Sequence, residues 1–281
     1  MASAMGGSQR IDIRAGGLAR GSPRRSESLG RLIETEVIPR LLLAHSSDRP
    51  DVLADGTPIE TEEVALFAPM TVELEAHELL AQVEHFLRRG VTVEQLLIHL
   101  LAPAARWLGD EWKRDHLDFV EVTMALWRLQ EVLREVAMRF PAAGHPFGSS
   151  LEALFAPMPG DQHTFGTAMV DECFSRAGWS TELLIDPTRG DLLSRVADKR
   201  FDLLGLTVSH DSHIGLLPSL VSTVRSVSRN QNICVLLGGQ IFNQRPELAK
   251  QVGADGTAPD ALSALELASR LVSLPVRAAL G

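Results

Sequence analysis

Hydrophobic positions recur along the chain with two different periods, and the change between them falls near residue 141. From Ser28 to His45, Leu29, Leu32, Ile33, Val37, Leu41 and Leu42 return at helical spacing, with Pro39 as the expected kink. A polar linker rich in Asp, Pro and Gly follows, from Ser46 to Pro58. From Ile59 to Phe140 the pattern predicts several helices and almost nothing else. Leu96, Leu97, Leu100, Ala104 and Leu108 share one helical face, and Leu126, Leu129, Leu133 and Val136 share another. Thr92 with Gln95, and Asp118 with Glu121, have the spacing of capping boxes, in which each side chain takes the other residue's backbone N–H. Gly90 suits a helix end, where a left-handed residue closes the last carbonyls. A small helical bundle is expected here.

Beyond Pro141–Ser150, short apolar runs alternate with amphipathic stretches. The strand candidates are Leu151–Met158, Thr181–Ile185, Phe201–Val208, Ile233–Leu237 and Ala254–Thr257. Near-continuous apolar strands separated by helices predict an α/β fold, with a five-stranded parallel, Rossmann-like sheet in flavodoxin-like order covered on both faces. The chain therefore divides into a basic, disordered tail (1–27), an N-terminal helix and linker (28–58), a helical domain (59–140), a linker (141–150) and an α/β domain (151–281). Ligands of such sheets bind beyond the carboxyl ends of the strands, so chemistry is expected in those loops.

Composition narrows the class. The 281 residues are 45% hydrophobic and 22% charged, enough for two packed cores and typical of a globular chain. No run approaches the ~18 apolar residues of a spanning helix, so no membrane role is expected. The first thirty residues have no apolar stretch of the secretory kind. Cys173 and Cys234 lie far apart in apolar surroundings, which excludes a disulfide framework and a cysteine zinc site and fits a reducing cytoplasm. A net charge of −9 argues against broad binding to nucleic acid. The tail is the exception. Arg10, Arg14, Arg20, Arg24 and Arg25 outnumber Asp12 and Glu27, which leaves an assisted DNA contact open.

The loop after the first strand reads Pro159-Gly160-Asp161-Gln162-His163-Thr164-Phe165-Gly166. It lacks the glycines and the Lys of a phosphate cradle, and it carries no nucleophile on a strained elbow. A metal ligand remains. His163 can present one neutral imidazole nitrogen while Asp161 accepts from the other ring N–H, which fixes the tautomer and makes the ring a better donor. Asp161 in an Asx turn is the alternative reading. One histidine holds a bare ion poorly, but it can supply an axial ligand to a metal already held by a macrocycle.

Asp161-x-His163-x-x-Gly166 resembles the signature of cobalamin-binding domains. The resemblance implies that His163 replaces the cofactor's own base below cobalt, with Asp161 orienting it and Gly166 allowing close approach. It also implies a slot beside the sheet for the displaced nucleotide tail. Room for that tail would come from Thr207 and Ser209 after the third strand and from Gly238 and Gly239 after the fourth. The family's Ser-x-Leu is met only in its hydroxyl, by Thr207. A helical cap upstream would cover the cofactor's upper face. In the light-sensing group this cap carries a Trp and a later Glu-His; here Trp112 and Glu121 take those places, and Val122 stands where the His would be. Trp112 is thus expected on the upper face, His116 is a substitute upper ligand, and Trp107 and Trp127 read as core residues of the bundle. His210, Asp211 and His213 mimic a metal cluster but follow the wrong strand for the lower ligand, and read as a polar loop.

Over residues 28 to 270 the chain resembles the AerR/PpaA family, cobalamin-binding antirepressors of photosynthesis genes in purple bacteria. The resemblance implies a cytoplasmic regulator and photoreceptor rather than an enzyme. It would bind hydroxo- or adenosylcobalamin, respond through it to light or redox state, and act on a CrtJ/PpsR-type transcriptional repressor. Two alternatives share the fold: a corrinoid methyl carrier of a methyltransferase system, and a heme sensor in which His163 serves iron.

Overall fold

Residues 58–142 and 151–273 are described by the computed structural model. The basic tail, the helical segment from Ser28, the linker as far as residue 57 and residues 143–150 lie outside the described residues.

Local capping chemistry sets the helical region. Helix α1 (Thr61–Glu73) and α2 (Ala76–Arg88) each start on a capping box built from two glutamates, Glu60 with Glu63 and Glu75 with Glu78. Gly90 follows α2 at φ +91°, a left-handed position that a glycine adopts without strain. Thr92 and Gln95 then exchange bonds of 3.0 and 3.2 Å to start α3 (Val93–Leu96). That helix winds through a π-helical segment, Leu97–Leu101, into α4 (Ala102–Lys113). Asp118 and Glu121 exchange two bonds of 2.8 Å at the start of α5 (Phe119–Arg139).

Leu96, Leu97, Leu100, Ala104 and Leu108 are fully buried, and Val122, Ala125, Leu129, Val132, Leu133 and Val136 of α5 pack on them. Each such large side chain contributes about 1.5–3 kcal/mol. Leu126 is only partly buried at the edge of this core.

The second region forms a parallel sheet in the order β2-β1-β3-β4-β5. Its strands are β1 (Glu152–Pro157), β2 (Ser180–Leu183), β3 (Leu203–Thr207), β4 (Cys234–Gly238) and β5 (Gly256–Thr257). The five expected strands are all present, in the expected flavodoxin-like order. β2 ends earlier than its apolar run, leaving Ile185 exposed just before Asp186 turns the chain at φ +49°. One face of the sheet, with Phe155, Leu203 and Leu236, is covered by α6 (Phe165–Arg176) and α11 (Ala261–Ser273). The other face packs on α7 (Arg189–Asp198) and α8 (Leu217–Val227), with α9 (Gln240–Gln244) and α10 (Glu247–Gln251) beside them.

Helix α6 belongs to both cores. Its Phe165, Met169 and Cys173 are buried in the core of the helical cap, whereas Phe174 lies in the sheet core. Arg176, nearly buried, adds polar ties to the cap: it pairs with Glu94 of α3 at 3.3 Å and donates to the carbonyl of Phe140. The helix that opens directly after the His163 loop is therefore the one on which the cap rests.

Candidate functional site

The carboxyl ends of β1, β3 and β4 are joined by backbone bonds that fix their loops. Met158 N donates to Thr207 O at 2.7 Å, and Val208 N donates to Gly238 O at 2.9 Å. Gly160, at φ +87°, turns the chain after β1, and Asp161 N closes the turn on Met158 O at 2.8 Å. This turn buries the Asp161 side chain completely.

Both oxygens of that carboxylate accept hydrogen bonds. Oδ1 accepts from His163 N at 3.0 Å and from His163 Nδ1 at 2.7 Å, and Oδ2 accepts from Ser209 N at 2.8 Å. Burial pushes the Asp161 pKa up, but the bonds from His163 and Ser209 outweigh it and hold the group below its ordinary value. The Asx turn and the orienting role are thus the same set of bonds. An ionised carboxylate against Nδ1 makes that nitrogen the donor, so the Nε2 lone pair of the half-exposed His163 ring is free to ligate.

The neighbouring loops complete the rim. The Thr207 hydroxyl is bonded to that of the buried Thr167 at 2.5 Å. Gly239 has φ +115°, and a Cβ there would lie 2.2 Å from Val208 O, so only glycine fits. A Cβ on Gly166 would meet nothing within 4 Å, and one on Gly238 would meet only Thr207 Cγ2 at 3.9 Å. Both glycines border a cavity of about 1080 Å3 between the cap and the sheet.

Of the residues singled out in the sequence, His163, Gly166, Thr207, Ser209, Gly238 and Gly239 line this cavity, and Asp161 lies directly beneath His163. Trp112 and Glu121 do not line it. Trp112 is half exposed near the end of α4, and the Glu121 carboxylate is engaged by Asp118 N, as its capping role requires. His116 also lies off the cavity, bonded to Glu111 at 2.9 Å. The tryptophan at the cavity is Trp127, expected in the bundle core but 61% exposed on α5, with Phe119 and Met124 beside it in the lining. Trp107 is partly buried against the cap core, as expected.

Two further contributors are Gln130, which carries no sequence signal, and His210, which the sequence placed in a polar loop with Asp211 and His213. Gln130 of α5 donates to the Thr164 hydroxyl at 2.8 Å, tying the cap to the His163 loop. His210 meets the His163 ring edge-on at 5.1 Å between centroids, and ligand atoms of Asp161, His163 and His210 lie within 4.8 Å of one another. The Asp161 oxygens are engaged by His163 and Ser209, so the imidazoles are the donors of this group not already tied up by the neighbouring loops. Burial pushes the thiols of Cys173 and Cys234 up to about 12, which makes thiolate chemistry at either unfavourable.

The donor set fits cobalamin: one imidazole nitrogen backed by a buried carboxylate, beside a large and mainly apolar cavity that extends along the sheet to Phe155, Leu203 and Leu236. Residues 151–266 match the B12 binding domain family. The chain is also 32% identical over 172 residues to a Rhodobacter capsulatus protein named "Uncharacterized 20.5 kDa protein in bchF-crtJ intergenic region"; the match spans 61% of this chain and 89% of that protein. The fold is similar to that of the monomethylamine corrinoid protein of Methanosarcina barkeri, with a TM-score of 0.61 over 75% of this chain and 100% of the other, at 15% identity. The heme alternative finds no support in these likenesses. Among the described residues, no helix is long and apolar enough to cross a membrane.

Proposed function

The chain belongs to the AerR/PpaA-type family of cobalamin-binding proteins, and from that premise we propose that it is a regulator, not an enzyme, that uses cobalamin to report light or redox state to a CrtJ/PpsR-type repressor. The observation that carries this reading is one oriented imidazole, His163, and one exposed tryptophan, Trp127, lining the same cavity. His163 would hold cobalt through Nε2, while Asp161 keeps the proton on Nδ1. Gly166, Gly238 and Gly239 give clearance, with Thr207 and Ser209 at the entrance to the slot. Bound cobalamin supplies a bond between cobalt and its upper ligand that visible light breaks.

The cap would read that change. Trp127, Phe119 and Met124, exposed at the cavity, would pack against bound cobalamin, so a change in its ligand would alter what they touch. The bond from Gln130 to Thr164 and the ion pair from Arg176 to Glu94 link those contacts to the binding domain. Cap and sheet, joined through α6, would then form a two-state element whose balance a partner could sense. A methyl carrier needs its upper face open to other enzymes, and the aromatic roof disfavours that role. The relative's place between bchF and crtJ supports a partner of the CrtJ type, with the Arg-rich tail available for an assisted DNA contact. The two unpaired thiols suit the cytoplasm.

The test is the affinity of the adenosylcobalamin-loaded protein for a purified CrtJ/PpsR-type repressor, in the dark, after illumination, and after chemical reduction in the dark. Coupling of ordinary strength predicts a change of at least about fivefold in one of the latter two states. Equal affinity in all three would exclude the regulatory reading and leave a cobalamin-binding protein of another kind.

A further inference from the structure

One histidine holds a bare ion poorly, but the fold brings a second to His163. The His210 ring, from the loop after β3, meets that of His163 edge-on at 5.1 Å between centroids. Asp161 is the reason the two meet. Its Oδ1 accepts from the backbone and the ring of His163, and its Oδ2 accepts from Ser209 N at 2.8 Å, one residue before His210. A single buried carboxylate therefore ties together the loops after β1 and β3. The chain beyond fixes His210 from the other side. Its carbonyl accepts from His213 N at 3.1 Å, and the His213 ring lies edge-on to it at 5.9 Å. The Nδ1 of His213 is buried with no hydrogen-bond partner among the described residues. The His210 side chain is exposed, and among the described residues no hydrogen bond or ion pair holds its ring.

We infer that His163 and His210 form a water-accessible site for a divalent transition cation of the zinc class, and that this cation and cobalamin exclude one another. Ligand atoms of Asp161, His163 and His210 lie within 4.8 Å of one another. Two imidazole nitrogens on one tetrahedral zinc are about 3.4 Å apart, so a turn of the exposed His210 ring closes the gap. The Asp161 oxygens are engaged by N–H groups, which leaves nitrogen as the donor. Nitrogen suits Zn2+, Ni2+ and Cu2+, whereas Mg2+ and Ca2+ require oxygen. The carboxylate behind Nδ1 makes His163 the stronger donor, the arrangement common behind zinc-bound histidines, and adds negative charge near the cation. Water completes the coordination, since both rings are exposed. The exclusion follows from electron pairs: with Nδ1 protonated, His163 has one free lone pair, on Nε2, and it cannot serve cobalt and a second cation together. His210 is not among the residues that line the cavity, so cobalamin does not require it. The cation site stands without cobalamin; its exclusivity rests on the cobalamin-binding reading.

The experiment is a calorimetric titration of the cofactor-free full chain with Zn2+, and with Mg2+ for comparison, on wild type, His163→Ala, His210→Ala and His116→Ala. Wild type is expected to bind Zn2+ and not Mg2+. His163→Ala and His210→Ala should each lose one equivalent of Zn2+ or weaken it by at least about tenfold, and His116→Ala, off the cavity, should match wild type. Both ring deletions are at exposed positions, so the variants keep the fold. In chelator-treated buffer His210→Ala should bind cobalamin as wild type does, which separates it from His163→Ala. With free Zn2+ at about ten times its dissociation constant, the apparent dissociation constant for cobalamin should rise about elevenfold in wild type and much less in His210→Ala. Absence of Zn2+ binding, or binding as tight in His210→Ala as in wild type, would overturn the site whether or not cobalamin binds. Undiminished Zn2+ binding to the cobalamin-loaded protein would overturn the exclusion. A chain that binds Zn2+ through both histidines but retains no corrinoid would uphold the site and overturn the cobalamin reading, and the exclusion with it.

Discussion

Asp161→Asn perturbs the site at the point where its geometry is most constrained. The buried carboxylate accepts three hydrogen bonds, from His163 N at 3.0 Å, His163 Nδ1 at 2.7 Å and Ser209 N at 2.8 Å. An asparagine has one acceptor oxygen and one donor amide. With the oxygen toward His163, the amide opposes Ser209 N–H, and that partly buried backbone donor loses its partner. With the amide toward His163, it meets two N–H groups unless the ring gives up its Nδ1 proton. The proton then moves to Nε2 and blocks the nitrogen that ligates. Either arrangement leaves a partly buried donor without its partner, at up to about 1–3 kcal/mol, and both lose the charge on the acceptor. A stability loss of about 2 kcal/mol is therefore expected in urea denaturation of the cofactor-free protein at neutral pH. Cobalamin affinity should fall by about 10- to 100-fold in an equilibrium titration. The sign with pH follows from the lowered pKa of Asp161. Its contribution is complete above the ordinary carboxylate range and is lost as pH falls through the lowered value, so the gap between wild type and variant should close in acid. Wild-type stability together with wild-type affinity would refute the assignment of Asp161 as the group that holds His163.

Further predictions separate folding from binding. Gly239→Ala should cost about 2 kcal/mol or more in denaturant, from its positive φ and the approach of Val208 O, whereas Gly166→Ala, which meets no neighbour, should melt near wild type yet bind cobalamin more weakly, because Gly166 borders the cavity. Trp127→Ala should lower affinity for adenosylcobalamin by about 3- to 10-fold with little effect on stability, while Trp112→Ala leaves affinity unchanged; the same titration decides both. Asp171 is pushed up to about 6, chiefly by burial and less by Glu172, against a lowering bond from Thr181. A raised carboxylate stabilises the fold at low pH and loses that contribution as pH rises through about 6, so stability relative to Asp171→Asn should fall between about pH 4 and 7 in denaturation at stepped pH.

Much of the fold was legible because its signals are local. Apolar runs of strand length between amphipathic stretches gave the parallel sheet and its order, and the boxes at Thr92 and Asp118 gave two helix starts. The boxes at Glu60 and Glu75 were missed because glutamate is not a favoured N-cap, and a π-helical segment inside a leucine-rich run leaves no trace in periodicity. In the site, the segments Asp161 to Gly166 and Gly238 to Gly239 were readable because backbone constraints and an oriented ligand demand particular residue types. Thr167 and Gln130 were not, since each acts through a partner remote in sequence, and His210 was visible only as part of a polar loop, its closeness to His163 being set by the fold. Trp127 was misplaced although the chain held the clue. The buried stripe of α5 runs through Val122, Ala125, Leu129, Val132 and Val136, and a helical wheel through those positions puts residue 127 off that face.

The central claim is that His163 is the cobalt ligand of a cobalamin site, and one spectrum tests it most directly. Purified wild type and His163→Ala are incubated with hydroxocobalamin, freed of excess cofactor by gel filtration, and their visible absorption is compared. The account predicts a retained corrinoid spectrum in wild type, with bands shifted from those of the free cofactor by imidazole ligation, and loss or strong weakening of both retention and shift in the variant. A wild type that retains no corrinoid, or a variant whose spectrum matches wild type, would contradict it.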